Sequence, residues 1–420
     1  MHTNLSSTRG RGTHSSGAVL VLAGTFMTPI AQWVVFFLIT LRGGAAAAGE
    51  LALLVAIANP IFTSTNFGLR NGYITLLERH PYGDYLRVRV VSTLLGAIAM
   101  LVFGYLSGAS PWFLLLVLVQ KAADAVLDLE FGRLQRGQRL VMFGALMTAN
   151  GTFTIVFAVA ATLLGLSPTT ILAGTTAGSV LTLLLVIVTN VYVSPAHGEQ
   201  PHRVKEHAVR GILRACWPIA AGQIFAILII NVPFWAVALT GSPEDVGQFA
   251  AAAYMITVGS LLGSSLNSTM IGRYQHQISD GQQQKVIRGS RLGALISLGV
   301  GTLMAIIIGL TGPALFAFVY GGEFFFTGIE LAIVAVSAAF NPGTHLMNAA
   351  LLAANLYQRQ MNVVLWALFA TLLSGLVCFA VGMPAFMIGA LSSLAGGLTK
   401  FVFSLTSFSA RDVHLRGERN

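Results

Sequence analysis

The stretch "LVQKAADAVLDLEF", Leu118–Phe131, sets Lys121, Asp124, Asp128 and Glu130 inside an otherwise apolar run. As part of a soluble domain it would need polar neighbours along the chain, and those are scarce. Of the 420 residues, 55% are hydrophobic and 9% charged, against about 45–50% and about 25% in soluble domains. Such a chain cannot cover a water-facing surface with polar groups, so most of its outside meets lipid. The four charges therefore belong to a helix that crosses a membrane.

Crossing a hydrocarbon core of about 30 Å takes roughly 20 apolar residues, and segments of that kind recur along nearly the whole chain. Twelve are read, at 17–41, 45–67, 87–107, 111–132, 142–165, 169–193, 212–239, 246–269, 289–311, 325–353, 361–380 and 384–407. The connections leave no room for a soluble domain. Arg9 and Arg11 before the first segment and "AAAAG" at Ala45–Gly49 resemble a signal peptide, but a run of about 25 residues exceeds an h-region of 7–15, so the segment is read as a retained helix. The expected class is an all-α polytopic membrane protein with twelve transmembrane helices in two six-helix lobes.

The distribution of basic residues orients this plan. Of the 24 Lys and Arg residues, 21 fall on one side of a twelve-pass arrangement; Arg42 falls opposite, and Lys121 and Lys400 lie within spans. By the positive-inside rule both termini are cytoplasmic. The formal net charge of +9 thus reflects topology and contact with membrane lipids, and nucleic acid is not an expected partner.

The longest polar connection, Ser194–Gly211, divides the spans six and six. The expected domains are an N-terminal lobe at 1–193, a cytoplasmic linker at 194–211, a C-terminal lobe at 212–407 and a tail at 408–420. "GELALLVAI" at Gly49–Ile57 is echoed by "GQFAAAAYM" at Gly247–Met255, each following a first helix that ends in "LITLRGG" or "AVALTGS". An even number of crossings per half gives both copies the same orientation, as in carriers built from parallel repeats. Many of the 45 glycines fall inside spans, where small residues let helix backbones approach.

Lys121, Asp124 and Asp128 stand at i, i+3 and i+7, on one helical face. A charge at mid-membrane costs about 2.5–3.5 kcal/mol, so that face looks into protein or water. Two readings stay open: an ion pair between Lys121 and an aspartate that locks the helix into its lobe, or a cavity-lining site for a polar or anionic substrate or a proton. Glu130 reads as interfacial, as does Glu330 near the outer end of segment ten. Arg70, in "NFGLRNGY", is either a topological anchor or a phosphate contact, since a guanidinium fork suits phosphate oxygens. Segments one and seven carry Pro29, Pro218 and Pro233 with Gln32, Gln223 and Asn231. Proline frees a carbonyl and bends a helix, which nominates these as gating helices.

Two cysteines, Cys216 and Cys378, give neither a disulfide framework nor metal-ligand spacing. His345 is the one histidine inside a span. No P-loop, no paired metal ligands and no long catalytic loop is present, so no cofactor, metal or enzymatic activity is expected.

With these residues in view, the chain resembles the multidrug/oligosaccharidyl-lipid/polysaccharide (MOP) exporter superfamily, and within it the Wzx-type polysaccharide flippases. The resemblance covers about 15–407 and rests on "GELALLVAI", on "NFGLRNGYITLLER" (66–79), on "LTGPALFAFVYGGEFFFTGIELAIVAVSAAF" (310–340) and on "LLAAN" (351–355). It implies two bundles that open alternately, with segments one and seven bending, around an undecaprenyl-diphosphate-linked oligosaccharide in the bacterial inner membrane. It further implies that Arg70 and Lys121 meet the diphosphate, with a polysaccharide polymerase complex as a further partner. The acids beside Lys121 depart from a strongly basic cavity. The alternatives are a cation-coupled multidrug exporter of the same superfamily and a non-transporting scaffold of a polysaccharide assembly complex. A major-facilitator carrier is disfavoured, because the 2–3 connection lacks that family's basic motif.

Overall fold

A computed structural model describes residues 8–75, 80–193 and 206–407. The N-terminal seven residues, most of the expected linker (194–205) and the expected tail (408–420) lie outside the described residues. Among those described, every regular element is a helix: α1 (Thr8–Asn66), α2 (Leu69–Thr75), α3 (Tyr82–Leu106), α4 (Pro111–Arg136), α5 (Leu140–Leu163), α6 (Pro168–Val193), α7 (Glu206–Thr240), α8 (Pro243–Ser279), α9 (Gln283–Tyr320), α10 (Gly328–Ala353), α11 (Tyr357–Ala380) and α12 (Ala385–Thr406). Nine of these are long and apolar enough to cross a membrane. The seven-residue α2 is too short, and α4 and α10 carry polar residues at mid-length.

The first and second expected segments share α1. At Gly44 the backbone turns out of helical geometry, φ 70° and ψ −170°, a conformation open to a residue without Cβ. One assigned helix therefore contains two limbs, each long enough to cross.

Sequence sets the other boundaries as well. α8 begins in a capping box, with the Ser242 hydroxyl accepting from the Asp245 amide and the Asp245 carboxylate from the Ser242 amide. Thr327 and Glu330 repeat this at α10. Each pair satisfies two amides that a helix start leaves without a partner. Glu330, expected to be simply interfacial, is thus a capping residue. At the other ends, Gly108, Gly165, Gly281 and Gly382 follow α3, α5, α8 and α11 with φ between 71° and 75°, the left-handed stop that glycine takes without penalty.

The chain divides into two compact units, Met1–Ile224 and Phe225–Asn420. The division falls inside α7, beyond the expected lobe boundary at 212. The reason is packing: Ile212 and Cys216, both fully buried, join Leu69, Tyr73, Tyr85 and Leu129 in one hydrophobic cluster. The start of α7 is therefore core of the first unit. α7, α8 and α9 also run past their expected ends, because a helix of 35 to 38 residues is about 55 Å long, well beyond the hydrocarbon that hydropathy detects.

Glycines hold the first unit close. On α5, a Cβ at Gly144 would sit 2.5 Å from the Leu20 carbonyl carbon and the Val21 nitrogen of α1, and one at Gly151 would sit 2.6 Å from Met27 Cγ. On α1, a Cβ at Gly24 would meet Met147 Cβ at 2.5 Å. Backbone atoms cannot step aside as a side-chain tip can. In the second unit α8 meets α10 in the same way, with Gly259 against the Ala338 carbonyl. Gly144→Ala is expected to cost about 1–3 kcal/mol by overpacking and to lower the unfolding temperature in detergent. Gly83→Ala, where a Cβ meets nothing within 4 Å, should leave that temperature unchanged or raise it.

Candidate functional site

α4 carries the site. Its N-terminal turns expose Trp112 and Leu115, but from Lys121 onward successive residues are buried or half-buried. The charged face has found partners on the surrounding helices of the first unit.

Asp128 lies at the centre. Its Oδ1 pairs with Arg70 Nη1 of α2 at 3.0 Å, and its Oδ2 with Arg89 Nη2 of α3 at 3.1 Å. Arg70 is held further by Gln135, whose Oε1 accepts from Nε at 3.1 Å and from Nη2 at 2.9 Å, and its guanidinium stands 5.2 Å over the Phe143 ring. Arg89 donates from Nη1 to Asn66 Oδ1. The two arginines differ in access. Arg89 is 0% exposed, whereas Arg70 and Asp128 are 25% and 32% exposed. Two cations share one carboxylate, so the cluster carries a net positive charge whose open member is Arg70.

Higher on the same face, Lys121 Nζ donates to Asn59 Oδ1 of α1 at 2.9 Å, and Asp124 is hydrogen-bonded by Ser179 of α6. Of the two aspartates that could pair with Lys121, Asp128 meets two arginines from other helices, whereas Asp124 stays beside Lys121, whose ammonium donates to an amide. The side of α4 is the reason, since partners on α1, α2 and α3 flank it.

Glu130 is a second correction. Expected at the interface, it is 6% exposed; Oε1 accepts from the Tyr82 hydroxyl at 2.5 Å and Oε2 from Asn190 of α6. Arg89, Asn59, Asn66, Tyr82 and Gln135 are site residues that the sequence reading did not single out. A signal for them exists. Asn59 and Asn66, Tyr82 and Arg89, and Asp128 and Gln135 are each seven residues apart, which returns a polar side chain to one helical face after two turns.

The other nominated residues lie elsewhere. Gln32 and Pro29 are on the first limb of α1, which stays helical through the proline. Gln223 sits on the part of α7 that belongs to the first unit, and Asn231 and Pro233 on the part that belongs to the second. Asn231 is 2% exposed and donates to the Ile227 carbonyl of its own helix at 2.7 Å. Helix geometry continues through Pro218 and Pro233. Four of the seven nominated binding residues, Arg70, Lys121, Asp124 and Asp128, are thus gathered around α4. In the second unit His345 packs against Gly263 of α8.

Because Arg89 is wholly enclosed, its charge depends on Asp128. Breaking a buried pair by removing one partner costs about 3–5 kcal/mol. Asp128→Asn is expected to lower stability by that order in chemical or thermal unfolding. Adding Arg89→Met should return much of the loss, giving a clear coupling term in the double-mutant cycle. Purely additive losses would contradict the pairing.

No protein-family model matches this chain, and no curated protein matches it by sequence. Its fold does match solved structures. The lipid II flippase MurJ in an inward closed conformation superposes with TM-score 0.68 at 12% identity, over 94% of this chain and 89% of MurJ. An outward-facing multidrug resistance MATE family transporter of the MOP superfamily gives 0.62 at 12% identity, over 95% and 96%. The Vibrio cholerae MATE transporter VcmN in its bent form gives 0.56 at 14% identity, over 96% and 99%. Nearly full coverage of each chain shows that this chain shares the fold of these solved structures.

Proposed function

We propose that the protein is a flippase of this fold that moves an undecaprenyl-diphosphate-linked oligosaccharide across the bacterial inner membrane for surface polysaccharide biosynthesis, O-antigen among the products. Both termini are cytoplasmic in this reading, as the basic connections require, and transport proceeds by alternating access without covalent chemistry. The observation that carries it is the surplus positive charge at the Asp128 cluster, with Arg70 partly open. A diphosphate is the group such a fork suits: its oxygens accept two parallel N–H bonds. The fold shared with the lipid II flippase MurJ lends support. Lys121, which donates to the neutral Asn59 and has Asp124 beside it, is a second cation for the same substrate, and a polysaccharide polymerase complex is the partner that would use the product.

A second reading, cation-coupled multidrug export, draws on the MATE neighbours and on the half-buried carboxylates of Asp124 and Asp128. Reconstituted protein that exports a cationic dye on a proton or sodium gradient would favour it.

Deletion of the gene is expected to abolish long surface polysaccharide, with lipid-linked units accumulating inside. The wild-type gene should restore the polymer, and Arg70→Ala should reduce it at least about tenfold at equal protein level, the loss of one charge-assisted contact of about 1.5–3 kcal/mol. Normal polymer in the deletion strain, with no second flippase gene present, would reject the proposal.

A further inference from the structure

Beyond Arg70 and Arg89, the first unit holds two more guanidiniums in a built arrangement, and neither has an ion pair among the described residues. Arg133 and Arg136 stand three residues apart in the last turn of α4, on one face. The Arg133 guanidinium lies 5.0 Å from the centroid of the Tyr82 ring, and that of Arg136 lies 4.4 Å from the Tyr73 ring. The two rings are themselves neighbours, with centroids 5.6 Å apart at an angle of 71°. Tyr85 packs on Tyr73 at 5.2 Å. The Tyr82 ring is pinned from its far end by the hydroxyl's bond to Glu130.

The two carboxylates on the neighbouring turns of α4 are already engaged. Asp128 is taken by Arg70 and Arg89, and Glu130 by Tyr82 and Asn190. Two like charges are therefore held side by side on aromatic faces, and both residues are only partly buried. A guanidinium stacked on a ring has its plane covered and its N–H edges free, which is the geometry for gripping an oxyanion from the side.

Depth selects the oxyanion. α4 has 26 residues and is about 39 Å long, so a helix that starts at one interface near Pro111 carries its last turn beyond a core of about 30 Å, into the headgroup layer. Trp217 marks the same level: it is 56% exposed and lies 5.8 Å from Phe67, at the turn that leads into α2. Tryptophan concentrates where acyl chains give way to headgroups.

We propose that Arg133 and Arg136, backed by Tyr82 and Tyr73, form a phosphate-binding site for an anionic phospholipid headgroup at the edge of the first unit. This site lies toward the C-terminal end of α4 from the Asp128 cluster and meets the residues around it at Tyr82; the proposal is independent of which substrate is carried.

The test uses full-length protein stripped of lipid, reloaded from equimolar phosphatidylglycerol and phosphatidylcholine, and read by native mass spectrometry. Wild type is expected to retain phosphatidylglycerol over phosphatidylcholine by roughly tenfold or more, the order expected of two basic contacts at a membrane surface. Arg133→Gln/Arg136→Gln should bring the ratio close to one, and Arg136→Gln alone to an intermediate value, which serves if the double variant folds poorly. Arg210→Gln, exposed on α7, should leave the ratio as in wild type. An unchanged ratio in folded Arg133→Gln/Arg136→Gln protein would overturn the proposal. So would wild-type protein that binds inorganic pyrophosphate at these residues and shows no preference between the two lipids.

Discussion

A charged side chain inside an apolar bundle has to find its partner within that bundle, and Asp128 is where this protein meets the requirement. Its carboxylate draws Arg70 from α2 and Arg89 from α3 to the middle of one face of α4. Arg89 above all depends on it. Arg89 has no exposure, so the charge that compensates it must come from the protein. The three helices that meet here are thereby fixed in register by chemistry as well as by packing, and the apolar cluster of Leu69, Tyr85 and Leu129 closes around the same junction.

The arithmetic of that cluster connects stability to function. One carboxylate satisfies two guanidiniums electrostatically only in part, and the residue is a positive charge on the more accessible partner, Arg70. Gln135 and Phe143 hold Arg70 in place from either side. A preorganised cation next to an internal anion is suited to a ligand that is bound and then released, because the anion is ready to take the cation back. This is how a structural ion pair and a transport site come to share residues under the proposed function.

Much of the architecture was legible in the sequence because the membrane imposes it. Apolar runs of fixed length gave the helices, and Gly43–Gly44 gave the break inside α1. The charged face of α4 was visible from spacing alone. Its partners were not. Arg70 and Arg89 lie 58 and 39 residues from Asp128; Arg70 was nominated as a phosphate contact but not as a partner of Asp128, and Arg89 counted only among the arginines that topology explains. α2 was hidden because two residues, Phe67 and Gly68 with φ of 53° and 61°, suffice to turn the chain into a new helix. The extent of α7 was misjudged for a related reason: hydropathy reads the lipid-facing stretch and misses the helix that continues past it as core. Glu130 looked interfacial by position, while Tyr82 and Asn190 supply buried partners that position cannot reveal.

An experimental map of the first unit in a lipid nanodisc, at a resolution that separates side-chain oxygens, bears on all of this at once. The account predicts the Asp128 carboxylate between the Arg70 and Arg89 guanidiniums, within about 3 Å of each, with Lys121 turned toward Asn59. Density that placed the Asp128 side chain against acyl chains, or Arg89 outside the bundle, would contradict it.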